Sequence, residues 1–110
     1  MITVSVSRDS ERDVYTGIDL AGHAGYADYG QDIICAAVSA LALNMANSVG
    51  EFTHDRFDAG SEEETGHFWF RFTDHISSES RLLMHSLVLG LQNIQSAYGK
   101  QYIKIRFKEV

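Results

Sequence analysis

The stretch GHAGYADYGQDIICAAVSAL, residues 22–41, marks the point where the sequence changes from a strand pattern to a helix pattern. Its first half is rich in glycine and follows a run in which apolar and polar residues alternate. Its second half begins a repeat in which Ile34 and Val38 share one helical face. Asp32 is a residue type that commonly caps a helix start. The stretch therefore predicts a strand, a glycine-rich connection and a helix that begins close to Cys35.

The patterns on either side of this stretch predict the remaining elements. Alternating residues before Gly22 predict a hairpin of two strands, and the first helix is expected from Ile33 to about Ser48, with Gly50 just past its end. A weaker strand pattern at 57–61 and the alternating run HFWFRF at 67–72 predict a second hairpin. Serines 77 and 78 precede a long helix that ends at Gly99, and QYIKIRF at 101–107 predicts a closing strand.

The predicted order is ββαββαβ, which is an α+β fold. Two helices over one face of a mostly antiparallel sheet is the simplest arrangement of these elements. The patterns do not specify the order of the strands in the sheet. A length of 110 residues suits one hydrophobic core, so residues 1–110 are expected to form a single domain.

Composition and charge limit the possible partners. Nine Lys and Arg residues against fifteen Asp and Glu give a formal net charge of -6, so no direct binding to nucleic acid is expected. A basic polypeptide would match this charge better. No apolar run approaches the roughly 18 residues of a membrane span, and the N-terminus lacks a signal-peptide pattern, so we expect a cytoplasmic protein without a membrane partner.

Cys35 is the only cysteine, so it cannot form an internal disulfide. A lone cysteine in an apolar helix is more often a core residue than a nucleophile. A position in the first turn of a helix favours a thiolate, however, and His23 precedes it at the expected end of a strand, where it could act as the base. This interpretation predicts a lowered pKa for Cys35 and helix-start amides that hold an oxyanion.

Other residues of the stretch have two interpretations each. Asp32 can cap the helix or orient His23, and capping is favoured because it needs only local contacts. Ser39 lies one turn after Cys35, where it can hydrogen-bond near the thiol or allow close packing. The loop glycines can form a mobile substrate loop or an irregular connection. These are Gly22, Gly25 and Gly30.

Several alternative chemistries do not fit the stretch. A phosphate-binding loop needs Gly-Lys followed by Ser or Thr, whereas Gly30 is followed by Gln31 and Asp32. The remaining histidines show no paired spacing with one cysteine, so no metal site is expected. The sequence also lacks the G-x-S-x-G motif of a serine hydrolase.

Residues 22–41 resemble the signature of the ribosomal-processing cysteine protease family, Prp. The resemblance rests on a histidine at 23, a glycine loop and the run D-x-x-C-A-A-x-S that begins at Asp32. It extends more loosely from the N-terminal hairpin to LVLGLQNIQSAYGKQYIKIRF, which is similar to the family's second helix and closing strand. The match is weakest at residues 55–65.

This resemblance implies a cytoplasmic, homodimeric bacterial enzyme that removes an N-terminal extension from the large-subunit ribosomal protein numbered twenty-seven. Carried over by position, Cys35 is the nucleophile and His23 the general base, with Asp32 and Ser39 as supporting neighbours. The family needs no metal or organic cofactor. The alternative from another class is a non-catalytic, ribosome-associated binding module in which Cys35 only packs in the core.

Overall fold

The computed structural model describes residues 1–28 and 32–110, and all the predicted helices and strands occur in this part of the chain. Most strands coincide with a period-two pattern and the helices with a period of 3.6, whereas the weaker strand at 57–62 shows no such alternation in burial. The elements in chain order are β1 (Ile2–Asp9), β2 (Val14–Ala21), α1 (Ile33–Phe52), β3 (Phe57–Glu62), β4 (His67–Phe72), α2 (Ser78–Tyr98) and β5 (Ile103–Glu109).

The five strands form one sheet in the order β3-β4-β2-β1-β5. The pairs β1/β2, β2/β4 and β3/β4 are antiparallel, whereas β1 and β5 run parallel, with Ile2 opposite Ile103. The prediction of an α+β fold with two helices and a mostly antiparallel sheet is confirmed. In the sheet β4 separates β3 from β2, an order that the sequence patterns do not specify.

The hydrophobic core lies between the sheet and the helices. Alternate strand residues such as Val4, Phe70 and Ile103 are buried on one face of the sheet. They meet Ile34 of α1 and Met84 of α2, both of which have no exposed surface. Burial of a large apolar side chain contributes about 1.5–3 kcal/mol, so this layer supplies most of the driving force for folding.

The helix ends follow the predicted caps with one exception. Ser77 caps α2 by accepting a hydrogen bond from the Ser80 amide at 3.2 Å, and Gly99 ends the helix with a φ of 115°. The prediction that α1 stops near Ser48 was wrong, because the helix continues through Gly50 to Phe52. Glycine lowers helix stability by only about 1 kcal/mol, which neighbouring packing can offset.

A polar network joins the end of α1 to the start of α2. The Asp55 carboxylate accepts hydrogen bonds from the amide and hydroxyl of Ser77, at 2.9 and 2.6 Å, and from the hydroxyl of Ser80. Burial opposes ionisation of Asp55, but the bonds from Ser77 and Ser80 outweigh it and keep its pKa below the usual value. Because this network connects opposite ends of the two helices, α1 and α2 run antiparallel.

The first helix is longer and more apolar than the sequence analysis expected. α1 has 20 residues and a mean hydropathy of 1.6, so by length and composition it could cross a membrane. The statement that no run approaches this length was therefore wrong. A core helix of a folded protein passes the same test, and Ile34, Val38 and Met45 of α1 pack in the core. Only 33% of the 18-residue apolar segment within α1 is buried inside the protein, however.

Candidate active site

Asp32 fixes the start of α1. Its carboxylate accepts hydrogen bonds from the amides of Ile34 and Cys35, at 3.0 and 3.1 Å, and from the Tyr26 amide at 3.0 Å. The favoured capping role is thus confirmed. Burial opposes ionisation of Asp32, but the amide hydrogen bonds from Cys35, Tyr26, Ala27 and Ile34 together lower its pKa. Asp32 is therefore held as a carboxylate at the base of the helix.

Cys35 lies in the first turn of α1 and is partly exposed. Its Sγ accepts a hydrogen bond from the Ala24 amide at 3.2 Å, so the loop after β2 touches the thiol. Burial raises the pKa of Cys35, the Ala24 amide acts in the opposite direction, and the charge of Asp32 raises it further. The prediction of a lowered thiol pKa from the helix terminus and His23 was wrong, because burial and the charge of Asp32 outweigh the hydrogen bond from the Ala24 amide.

His23 follows the end of β2 and contacts the β3–β4 turn. Its Nε2 lies 2.9 Å from the backbone oxygen of Glu64. A carbonyl oxygen can only accept, so Nε2 is the donor in this bond and carries the proton. In the neutral ring Nδ1 is then the basic nitrogen. This arrangement matches that of a histidine base whose ring is oriented by a third group.

The turn approaches His23 closely because residue 66 is glycine. Gly66 has a φ of +66°, a backbone conformation that residues other than glycine rarely adopt. A Cβ at this position would lie 2.3 Å from the oxygen of Gly22 and 3.2 Å from Cε1 of His23. The Gly22 amide also donates to the oxygen of Thr65 at 3.2 Å. The turn and the loop that carries His23 therefore form one packed unit.

A cleft of about 670 Å³ runs between α1 and this turn. Most of the residues predicted for the site line the cleft together, and Gly22 and Gly25 have positive φ values of 91° and 73°. Ser39 is exposed on the cleft side of α1, one turn from Cys35. Gly30 lies outside the described residues. The predicted residues that line the cleft are Gly22, His23, Gly25, Asp32, Cys35 and Ser39.

The opposite wall of the cleft contains residues that the sequence analysis missed. Glu62 and Glu63 line it, and so does His67, whose Nε2 lies 3.1 Å from Oδ2 of Asp19. The run EEETG at residues 62–66 predicts a turn, but it does not predict where in the fold that turn lies. Antiparallel pairing of β2 with β4 brings this turn to the end of β2, beside His23.

The geometry also revises the expected oxyanion donors. The amides of Ile34 and Cys35 already donate to Asp32, so the helix start does not supply them to a substrate. The amide of Ala24 donates to the sulfur itself. Ala24 therefore provides a backbone N–H that is placed to meet negative charge next to Sγ.

No metal centre is evident in residues 1–28 and 32–110. Within these ranges no three or more His, Cys, Asp or Glu side chains are grouped so that they could hold a metal ion. Independently of this, the cleft combines a thiol, an imidazole and a backbone donor, which are the groups that nucleophilic catalysis by cysteine requires.

The raised pKa of Cys35 predicts slow alkylation at neutral pH. The iodoacetamide reaction rate should rise with pH to a midpoint above the value of about 8.5 for free cysteine. Because the chain has one cysteine, the label reports Cys35 alone. Asp32→Asn should move the midpoint down, since the variant removes a negative charge near the thiol. A wild-type midpoint below that of free cysteine would contradict the effect of burial.

Comparison with known proteins identifies the family. A family model described as cysteine protease Prp matches residues 1–104. The ribosomal processing cysteine protease Prp of Staphylococcus aureus strain Mu50 is 32% identical over 108 residues, which cover 98% of this chain and 100% of the relative.

Solved structures give the same result. A crystal structure of the essential ribosomal processing protease Prp from S. aureus, in complex with a covalently linked product peptide, has a TM-score of 0.90 and 31% identity. A second structure of that protease, with a substrate peptide, has a TM-score of 0.85 and 30% identity. Each match covers 98% of this chain and 100% of the other. The chain therefore belongs to the Prp family of cysteine proteases.

Proposed function

We propose that this protein is a cysteine endopeptidase in which Cys35 is the nucleophile and His23 the general base. The contact of Ala24 with the sulfur carries this assignment, because it places the residue next to His23 against Sγ at 3.2 Å. Both side chains line one cleft that is open to a peptide. The S. aureus relatives with a substrate peptide and a covalently linked product peptide support a peptide as the ligand.

In the proposed mechanism the proton of Cys35 moves to the imidazole of His23 as the sulfur attacks the scissile carbonyl. The new C–S bond gives a tetrahedral oxyanion, which the Ala24 amide stabilises. The C–N bond then breaks, and the protonated imidazole gives its proton to the leaving amine. Water, activated by the neutral imidazole, hydrolyses the thioester and releases the acid and the thiol. The Glu64 carbonyl keeps the ring oriented throughout.

The raised pKa of the free thiol gives substrate binding a role in this mechanism. A neutral thiol is the resting form when burial and Asp32 disfavour its charge. Transfer of the proton to His23 creates a thiolate–imidazolium pair, in which opposite charges stabilise each other. A bound peptide that excludes water would strengthen this attraction.

The substrate that fits the family name is an N-terminal extension of a ribosomal protein, and we propose the large-subunit protein numbered twenty-seven. The charge of the cleft supports a basic polypeptide. Its lining includes Asp32, Glu62 and Glu63, and the described lining residues include no Lys or Arg. We further propose that the enzyme acts in the cytoplasm as a homodimer, without a cofactor.

A cleavage assay tests the proposed function. The purified chain, mixed with the extended ribosomal protein, should give a single shorter product whose new N-terminus is read by mass spectrometry. A version of the substrate that already lacks its extension serves as the control and should remain intact. An uncut extended protein, under conditions in which the S. aureus relative cuts its own substrate, would refute the proposal.

A further inference from the structure

The loop between β2 and α1 is anchored on both sides of Gly25. Before Gly25, His23 contacts the β3–β4 turn, and Ala24 is only 3% exposed. After Gly25, the Tyr26 amide donates to Oδ2 of Asp32 at 3.0 Å. Gly25 itself has a φ of +73°, and a Cβ there would meet nothing beyond its chain neighbours within 4 Å. The backbone at Gly25 is therefore held by the residues on either side and not by its own packing.

The ring of Tyr26 makes contacts that the proposed mechanism does not use. It meets the rings of Tyr98 and Tyr102 edge to face, with ring centroids 5.7 and 5.3 Å apart and interplanar angles of 80° and 75°. This is a preferred arrangement of aromatic pairs at such distances. We call these three side chains the tyrosine cluster. It joins the loop after β2 to the end of α2 and to the residue before β5.

Both partners of Tyr26 belong to firmly held parts of the fold. Tyr98 is the last residue of α2. The oxygen of Tyr102 accepts a hydrogen bond from the amide of Ile2, the first residue of β1, at 2.9 Å. The Tyr102 amide in turn donates to the oxygen of Gly99 at 3.3 Å. The tyrosine cluster therefore ties the loop to a helix end and to the paired strands β1 and β5.

Tyr26 lies next to the cleft, but its side chain does not line it. Gly25 and Ala27 are lining residues, whereas Tyr26 is not among the described residues that form the cleft wall. Its ring packs instead on Tyr98 and Tyr102. A peptide in the cleft therefore does not need to touch this ring, and any effect of the ring on the reaction passes through the backbone of the loop.

We propose that Tyr26 is a positioning residue that holds the Ala24 amide against the sulfur of Cys35. The inference rests on the proposed function, in which this amide stabilises the oxyanion. The Ala24 amide lies 3.2 Å from Sγ, and such a donor is effective because it is already in place before charge develops. One glycine separates Ala24 from Tyr26. Because glycine leaves the backbone free to turn, loss of the ring contacts widens the range of positions that the amide samples.

Amide hydrogen exchange, followed by NMR well below the melting temperature, tests this placement without a substrate. The Ala24 amide should exchange roughly 10-fold faster in Tyr26→Ala than in the wild type, the factor expected for loss of aromatic pairs of this kind. The variant keeps the backbone bond to Asp32, so it isolates the contribution of the ring. Tyr26→Phe retains the ring and should restore the slow exchange of the wild type.

Tyr15→Ala is the matched control. Tyr15 also has two ring partners, His85 at 4.7 Å and Phe107 at 6.0 Å, but it lies near the start of β2, at the end remote from His23. Its replacement should lower the melting temperature and leave both the exchange of the Ala24 amide and kcat unchanged. The control thus separates a general loss of stability from a loss of loop position.

Kinetics with a peptide substrate give a second readout. Tyr26→Ala should lower kcat roughly 10-fold at an unchanged KM, because the Ala24 donor acts in the transition state and the ring does not line the cleft. Tyr98→Ala removes one ring partner without altering the loop and should lower kcat by a smaller factor. In the double variant Tyr98→Ala should add no further loss, since Tyr98 acts only through the ring of Tyr26.

Several results would overturn the proposal. These are an unchanged exchange rate of the Ala24 amide in folded Tyr26→Ala, an equal effect of Tyr15→Ala, or additive effects of Tyr26→Ala and Tyr98→Ala. A higher KM at constant kcat would also overturn it, because the ring would then contact the peptide. Should Tyr26→Ala lose its fold, Tyr98→Ala carries the same two measurements. If the chain cuts no peptide, the proposed function fails in its own assay, and the exchange rates still decide whether the ring holds the amide.

Discussion

Replacement of Cys35 by alanine is expected to abolish peptide cleavage, with a loss of at least about 1000-fold in kcat/KM. The variant removes the atom that bonds to the scissile carbonyl, and loss of a nucleophile from a catalytic dyad or triad costs this much or more. Cys35→Ser should be nearly as inactive, since an alcohol is far harder to ionise than a thiol. The measurement is the initial rate on a fluorogenic peptide that spans the proposed cleavage site.

The controls for Cys35 separate catalysis from folding. The side chain is only partly buried, so the alanine variant should keep the wild-type melting temperature within a few degrees. Rates equal to the wild type in a folded Cys35→Ala protein would favour the alternative of a non-catalytic binding module whose cysteine only packs in the core.

Replacement of His23 by alanine should lower kcat/KM by roughly 1000-fold, within the range that general acid–base catalysis contributes. The variant loses the group that receives the thiol proton, and with it the bond from Nε2 to the Glu64 oxygen. Activity should partly return at high pH, where the thiol of Cys35 ionises without a base. The measurement is a pH–rate profile from pH 6 to pH 10.

His54→Ala provides the matched control for this prediction. It removes the same type of side chain from an exposed position that follows α1, outside the cleft. Its pH–rate profile should overlay that of the wild type. If His23→Ala retained more than a tenth of the wild-type rate at neutral pH, His23 would not be the base.

The elements and caps could be predicted because their causes are local. Alternation of residues defines most of the strands, and the caps of Asp32, Ser77 and Gly99 act within one turn of the chain. The placement of Cys35 and His23 along one cleft was also accessible, since the helix begins directly after the loop that carries His23. These features depend on residues that are close together in the sequence, so a sequence pattern is sufficient to predict them.

The remainder of the site depends on contacts between distant residues. The turn that orients His23 reaches it only because β4 pairs with β2, and strand order is not encoded in the alternation of either strand. The pKa of Cys35 depends on its burial, which is a property of the whole fold. Prediction from the helix terminus and a nearby His23 therefore gave the wrong direction for this pKa.

The parallel pairing of β1 with β5 has a consequence for synthesis of the protein. Ile103 of β5 is fully buried and pairs with Ile2, which also lines the cleft. During translation β1 leaves the ribosome long before β5 exists, so the nascent chain carries an unpaired edge on β1 and an incomplete core. The cleft is thus complete only after residues 103–109 have emerged from the ribosome. We expect a stalled nascent chain that ends before Ile103 to be inactive and sensitive to proteolysis.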